Sequence, residues 1–231
     1  MIYVTGDTHG EIDFNKLEKL KERKLTYKDI LIILGDCGIC WSALDLTKKL
    51  ELYRSLHCTI IFLDGNHENF DMLESLPVIE LYGALMHKVD KHIYHVLRGE
   101  IMEINKIKFL CIGGAHSIDI MWRVPGISWW PREDIEERDI INAKKHLKKY
   151  NNNVDFVLTH CVDSLTVTKI LKFKKDNSSD QLNFIDKTVK YKYWLFGHYH
   201  FDFWLNEKKL CMYQDIYLLD NNKLIIRIDN K

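Results

Sequence analysis

At 231 residues, the chain is long enough for one large domain with its own core. Its 46% hydrophobic, 12% aromatic and 29% charged residues, with 11 Gly and 3 Pro, exclude a disordered, collagen-like or low-complexity polymer. The 33 basic and 33 acidic residues cancel to a formal charge of zero, which excludes bulk charge as a way of holding nucleic acid and leaves only a local basic patch open.

In chain order, Met1 to Thr5 reads as a strand, and this start lacks the basic segment of a signal peptide. Phe14 to Lys24 places Phe14, Leu17 and Leu20 at helical spacing. Ile30 to Leu34 is a continuous apolar strand, Thr47 to Leu56 a helix, and Thr59 to Leu63 a second apolar strand. Such β-branched runs, separated by helices, predict a sheet covered on both faces. Ile93 to Val96, Ile101 to Ile104 and Ile107 to Ile112 lie close together and read as antiparallel strands. Glu133 to Tyr150 is a charged helix, Val154 to Leu158 and Tyr193 to Phe196 are strands, and Leu210 to Ile228 holds two or three more. The sum is an α/β protein of two sheets with flanking helices. No linker or repeat divides the chain, so a single domain over residues 1–231 is expected. No apolar run reaches the ~18 residues of a membrane span, so no membrane attachment is expected.

Cys37, Cys40, Cys58, Cys111, Cys161 and Cys211 are scattered, several of them among apolar neighbours. Reduced thiols in a cytoplasmic protein are expected. Cys37 and Cys40 form a CxxC pair, but the second pair of a zinc site is missing.

The chemistry follows the buried strands. After the first comes Gly6-Asp7-Thr8-His9-Gly10, after the second Gly35-Asp36-Cys37-Gly38, and after the third Asp64-Gly65-Asn66-His67-Glu68. The later strands end in Thr159-His160 and Gly197-His198-Tyr199-His200. Ligands of open α/β sheets bind outside the carboxyl ends of strands. Six of the 11 glycines sit in these turns, where tight bends and close backbone approach need them. Carboxylates, an amide oxygen and imidazoles suit Mn, Fe or Zn better than Ca or Mg. The set is too large for one tetrahedral ion. Two ions ~3.5–4 Å apart, sharing a carboxylate, would clamp a phosphate and supply a hydroxide nucleophile. Any one of these motifs alone is ordinary turn chemistry; all five in order are not.

The set Asp7-x-His9, Gly35-Asp36, Gly65-Asn66-His67-Glu68, His160 and Gly197-His198-x-His200 resembles the calcineurin-like metallophosphoesterase superfamily, across residues 7 to 200. The small bacterial and phage-type branch is the most similar. The resemblance implies a four-layer α/β/β/α sandwich of two mixed sheets with flanking helices, and a dimetal phosphoesterase. Asp7, His9 and His200 would hold one ion, Asp36 would bridge, and Asn66, His160 and His198 would hold the other. Mn is the first expectation, with Fe, Zn or Ni as alternatives. Asn66 would also touch substrate, and His67, not consumed as a ligand, would act as general acid. Glu68 and Asp64 are candidates to orient the imidazoles.

Protein Ser/Thr phosphatases of this superfamily carry Asp-Arg-Gly in the second motif, where this chain has Asp36-Cys37-Gly38, so their phosphate-binding Arg is missing. Lariat-debranching enzymes have Cys where this chain has Asp7. The stretch Gly113-Gly114-Ala115-His116-Ser117-Ile118-Asp119, with Arg123 and Trp129-Trp130-Pro131, is similar to one in small bacterial members. Its Gly-Gly turn would face the metals. Arg123 would replace the missing Arg, because a guanidinium binds phosphate bidentately. Asp119 is placed to pair with Arg123 four residues on. Trp129 and Trp130 read as core or lid aromatics, with base stacking as the alternative. His57, His87, His92, His95 and His146 match no motif and read as surface or strand-edge groups. Lys169 to Lys175 reads as a solvated loop near the site, able to attract an anion.

The expected function is hydrolysis of a phosphomonoester or phosphodiester by metal-bound hydroxide attack, with His67 as acid. The alternatives are a nucleotide or nucleic-acid phosphodiesterase or nuclease, and a non-catalytic binding module on the same fold. The expected partner is a phosphate-ester substrate, with a nucleotide as one option. The sequence carries no strong nucleic-acid signal and no oligomeric state.

Overall fold

The fold is that of a computed structural model in which residues 1–220 and 223–228 are described. Its strands are β1 (Ile2–Thr5), β2 (Ile30–Ile33), β3 (Thr59–Phe62), β4 (Val78–Leu81), β5 (Ala84–Asp90), β6 (Ile93–Val96) and β7 (Glu100–Ile104). There follow β8 (Ile107–Ile112), β9 (Phe156–Thr159), β10 (Tyr193–Phe196), β11 (Phe203–Trp204), β12 (Lys209–Cys211), β13 (Ile216–Asp220) and β14 (Lys223–Arg227). One mixed sheet has eight strands in the order β14-β13-β1-β2-β3-β6-β5-β4, the other six in the order β11-β12-β10-β9-β8-β7.

Both faces of each sheet are covered, which is why the strands read as unbroken apolar runs. Between the sheets, Ile2, Val4, Ile30 and Ile32 of one meet Phe109, Phe156, Leu158 and Leu195 of the other. The alternate residues Tyr3, Leu31 and Ile33 face outward onto Leu17, Leu20 and Tyr53, carried by a short 3-10 turn and the helices α1 (Glu18–Lys21) and α2 (Leu46–Arg54). Helix α3 (Phe70–Glu74) follows the turn that carries Asn66 and His67. On the far side of the second sheet, Ile140, Ala143 and Leu147 of α4 (Glu137–Lys149) pack on Leu110, Trp194 and Phe196. Three shorter helical segments complete that side: α5 (Ser164–Thr166), α6 (Asn177–Gln181) and α7 (Phe184–Thr188). The layers are therefore helix, sheet, sheet, helix, the expected four-layer α/β sandwich.

Several expectations are corrected. Ile93–Val96 and Ile101–Ile104 belong to different sheets: β6 lies parallel to β3, whereas β7 pairs with β8. The chain crosses between the sheets at Leu97 to Gly99. The hairpin of β4 and β5 escapes the sequence, because its strands are only partly buried and carry polar residues in place of a continuous apolar run. The charged helix begins at Glu137 rather than Glu133. The Glu136 backbone N–H donates to Asp139 Oδ2 at 3.0 Å, closing the first turn, while Glu133 is buried upstream. Phe14 to Lys24 is one 3-10 turn followed by one α-turn rather than a continuous helix. His87 and His95 are buried, not surface groups. Among the described residues no helix is long and apolar enough to cross a membrane.

Candidate metal centre

Strands β1, β2 and β3 run parallel, as do β9 and β10 in the other sheet. Their carboxyl ends therefore open on the same side, and the turns that follow them meet between the sheets. His9, Asp36, His198 and His200 all have left-handed backbones, with φ of 44°, 48°, 69° and 55°. Non-glycine residues hold this region at a cost, and such residues cluster at functional sites. The glycines beside them make room. A Cβ on Gly35 would lie 2.2 Å from His160 Nδ1, one on Gly65 2.1 Å from Asp36 Oδ1, and one on Gly197 2.4 Å from Asp7 Oδ2.

Asp7, His9, Asp36 and His200 offer ligand atoms that all lie within 4.8 Å of one another. Asp36 Oδ2 sits 3.3 Å from His9 Nε2 and 3.3 Å from His160 Nε2. His160 Nε2 is also 3.3 Å from Asn66 Oδ1, and the His198 ring stands edge-on to the His160 ring at 5.0 Å. The seven expected ligands thus lie together around Asp36. His67 and Arg123 adjoin them. The guanidinium nitrogens of Arg123 are 3.1 and 3.4 Å from the two ring nitrogens of His67, and Arg123 Nε pairs with Asp119 Oδ1 at 2.7 Å.

The donor set fits a cation. His160 donates Nδ1–H to the Leu34 carbonyl (2.7 Å), and His9 donates Nδ1–H to Asp13 Oδ2 (2.7 Å). Each neutral ring therefore turns an Nε2 lone pair toward carboxylate oxygen. Lone pairs facing one another in a buried space require a positive charge between them. Without one, protons take that place. Burial alone would lower both imidazoles, but Asp36 and its neighbours push His9 and His160 up to about 9. Burial alone would raise Asp36, but His160 and His9 hold it well below the usual carboxylate range. Burial raises Asp7, against the pull of His160. Burial, helped by His160, pushes His198 down to about 3. Burial also lowers His67, with Arg123 adding to it against Asp36.

The surrounding residues aim the ligands, and the sequence missed most of them. Asp13 holds His9, and Tyr213 stacks on His200 at 4.6 Å while donating its hydroxyl to Asp13 Oδ1 at 2.9 Å. Lys16 is buried beneath the first turn and donates to the carbonyls of Gly6, Asp7 and Tyr213. Asp7 accepts the His198 backbone N–H at 3.0 and 3.1 Å. Asn66 Nδ2 donates to Ser117 Oγ (3.1 Å), whose hydroxyl donates to Glu133 Oε2 (3.0 Å). The local signal was available only for Asp13, four residues after His9.

Glu68 and Asp64 do not orient ligand imidazoles. Glu68 Oε1 accepts the backbone N–H of Cys37 (2.8 Å) and so braces the turn after Asp36. Asp64 is buried against Arg98 and His95. The Gly113-Gly114 turn faces Asp64 rather than the metal ligands, since a Cβ on Gly113 would meet Asp64 Oδ1 at 2.2 Å. Trp130 is buried and donates to Asp71 at 2.7 Å, which leaves it no face for a base.

The chain matches the family model described as calcineurin-like phosphoesterase over residues 1–202. No curated protein matches it. Similar solved structures include TT1561 of Thermus thermophilus, at 10% identity and a TM-score of 0.48, covering 94% of this chain and 92% of that one. Another is the phosphopantetheinyl hydrolase PptH from Mycobacterium tuberculosis, at 14% identity and a TM-score of 0.44, covering 92% and 87%. Both are loose likenesses. By the match over most of its length, this chain belongs to the calcineurin-like phosphoesterase family.

Proposed function

We propose that this protein hydrolyses a phosphoester with the help of two divalent metal ions, Mn first among them. The observation that carries this is the position of Asp36 Oδ2, 3.3 Å from one imidazole of each ligand set. Asp7, His9, Asp36 and His200 would hold one ion, and Asp36, Asn66, His160 and His198 the other. When bound, such a pair supplies charge that holds phosphoryl oxygens and lowers the pKa of an attacking water. The protein's own groups do the rest. Arg123, its side chain largely buried and paired with Asp119, presents its guanidinium to a phosphoryl oxygen. His67 lies outside both ligand sets with its ring 5.6 Å from that of His9, and it delivers a proton to the leaving oxygen. Asn66, next in the chain, contacts the same phosphoryl group. Ligands from both sheets serve one centre, which supports a single domain over residues 1–231. All six cysteines are buried and free, which supports a reducing, cytoplasmic setting.

The test is hydrolysis of p-nitrophenyl phosphate and bis-p-nitrophenyl phosphate by protein stripped with chelator and reloaded with Mn. Turnover should need Mn, and the faster substrate separates monoesterase from diesterase. His67→Ala should lower kcat about 10²–10⁴-fold while plasma emission finds both ions retained. Full activity in that variant removes His67 from the acid role. No turnover and no bound metal would leave a binding module on this fold.

A further inference from the structure

The cleft over the metal centre is larger than a phosphate needs. It encloses about 530 Å³, within the ~300–1,000 Å³ typical of sites for drug-sized ligands. Beyond the ligands and His67, its walls include Ile118 and Arg123 on one segment and Val167, Phe173 and Lys174 on another. Phe173 is 52% exposed and lines this cleft. Its ring lies parallel to that of Tyr199, at 5.8 Å and 9°. Tyr199 in turn packs edge-on against the ligand His198 at 4.9 Å. An aromatic ladder therefore runs from the metal centre to an open ring face.

The backbone is shaped to make that face. Helix α5 runs directly into a π-turn at Val167–Leu171, and Lys172 then turns left-handed at φ 62°. The Phe173 N–H donates back to the Val167 carbonyl at 3.1 Å, which fixes where the ring emerges. Turns of this type are rare and concentrate at functional sites.

We propose that the substrate is a nucleoside phosphate whose base stacks on Phe173 while its phosphoryl group meets the metal centre; this rests on the phosphoesterase function above. The cleft wall is not hydrocarbon alone, because His116, Asp119 and Asp176 also line it. His116 Nδ1 pairs with Asp134, Asp119 Oδ1 pairs with Arg123 and Asp176 Oδ1 accepts the Ser179 N–H, which leaves His116 Nε2 and one oxygen of each carboxylate to face a ligand. Carboxylates and an imidazole match the amino and ring-nitrogen edges of a base and have no use for a bare phenyl ring. Lys174, with no ion pair among the described residues, adds positive charge for the phosphate.

The experiment compares kcat/KM of the Mn-loaded enzyme on nucleoside 5′-monophosphates and their phosphate methyl esters, ribose 5-phosphate and phenyl phosphate. Base stacking is worth roughly 1–3 kcal/mol, so the best nucleotide should exceed ribose 5-phosphate by about fivefold or more. Phe173→Ala should close that gap through KM, and Phe173→Trp should keep it. A gap below about twofold, or one that survives in Phe173→Ala, overturns the proposal. Phenyl phosphate matching the best nucleotide overturns it in favour of an aryl ester. Absence of all turnover counts against the phosphoesterase function instead. Calorimetric binding of adenosine 5′-monophosphate against ribose 5-phosphate to Mn-loaded His67→Ala protein still reads the stacking platform in that case, and equal affinities would sink it.

Discussion

Replacing Glu133 by Gln tests how the Asn66 amide is aimed. A carboxylate only accepts hydrogen bonds, so Glu133 fixes the direction of the whole chain. Its Oε1 takes the Ser117 N–H at 2.6 Å and its Oε2 takes the Ser117 hydroxyl proton at 3.0 Å. Ser117 Oγ is left to accept from Asn66 Nδ2, which turns Asn66 Oδ1 toward His160 Nε2. Gln has the same shape but only one oxygen. The Ser117 backbone N–H claims that oxygen, so the new amino group faces Ser117 Oγ. The hydroxyl must then donate to Asn66, whose amide flips and presents NH₂ to the metal centre. Keeping the old direction instead sets two donors face to face, a cost of about 1–3 kcal/mol. Either route should weaken one of the two Mn binding steps about 10–100-fold, the usual effect of losing a group that orients a ligand. Calorimetric titration of Mn into stripped protein measures both steps. Two steps with wild-type constants in Glu133→Gln would refute the reasoning. The pH dependence offers a second check. Burial pushes Glu133 up to about 7, so below that pH its protonated form resembles the glutamine. Mn affinity of the wild type should therefore fall more steeply below pH 7 than that of the variant.

Asp36→Asn should lose both ions: the His67 N–H donates to Oδ1 at 2.7 Å, so the new amino group is driven to the Oδ2 position between the two imidazoles. Plasma emission should then find well under about one ion per chain, and full occupancy would rule out a shared carboxylate. Gly35→Ala combines a φ of 94° with a Cβ 2.2 Å from His160 Nδ1, and should cost about 2–3 kcal/mol in a denaturant titration together with one bound ion. A variant with unchanged stability would show that the ring has room to retreat. His87 is pushed down to about 4, first by burial and then by His95. The unfolded chain, with His near 6.5, binds more protons between those values, so this contribution to stability is lost as pH falls from about 6.5 toward 4. His87→Phe should flatten that part of the Tm profile, and a parallel profile would dismiss the group.

Most of the candidate site was legible as a place in the fold because it is written in local terms: a buried apolar run, then a turn carrying carboxylate, amide or imidazole groups. What escaped the sequence is what depends on sheet order. Asp13 and Tyr213 hydrogen-bond across 200 residues, and Ser117 reaches Asn66 across 51. His87 and His95 looked like strand-edge groups, yet strands β5 and β6 pair them and bury them, with their Nδ1 atoms 3.0 Å apart. Nothing in either segment alone shows the partner.

The legibility of the ligand turns has a further physical cause. His9, Asp36, His198 and His200 occupy a left-handed backbone region that glycine enters freely. Glycine at any of them would relieve the backbone and delete the ligand. The chain instead places glycine next door, at Gly10, Gly35 and Gly197, while Gly65 keeps the Asp36 carboxylate clear. The strain stays on the ligands, where buried strands β1, β2 and β10 hold it, and the space comes from their neighbours. Short Gly-Asp and Gly-His pairs after apolar runs are the trace of that division, which is why five weak motifs in order converge on one candidate site that none of them marks alone.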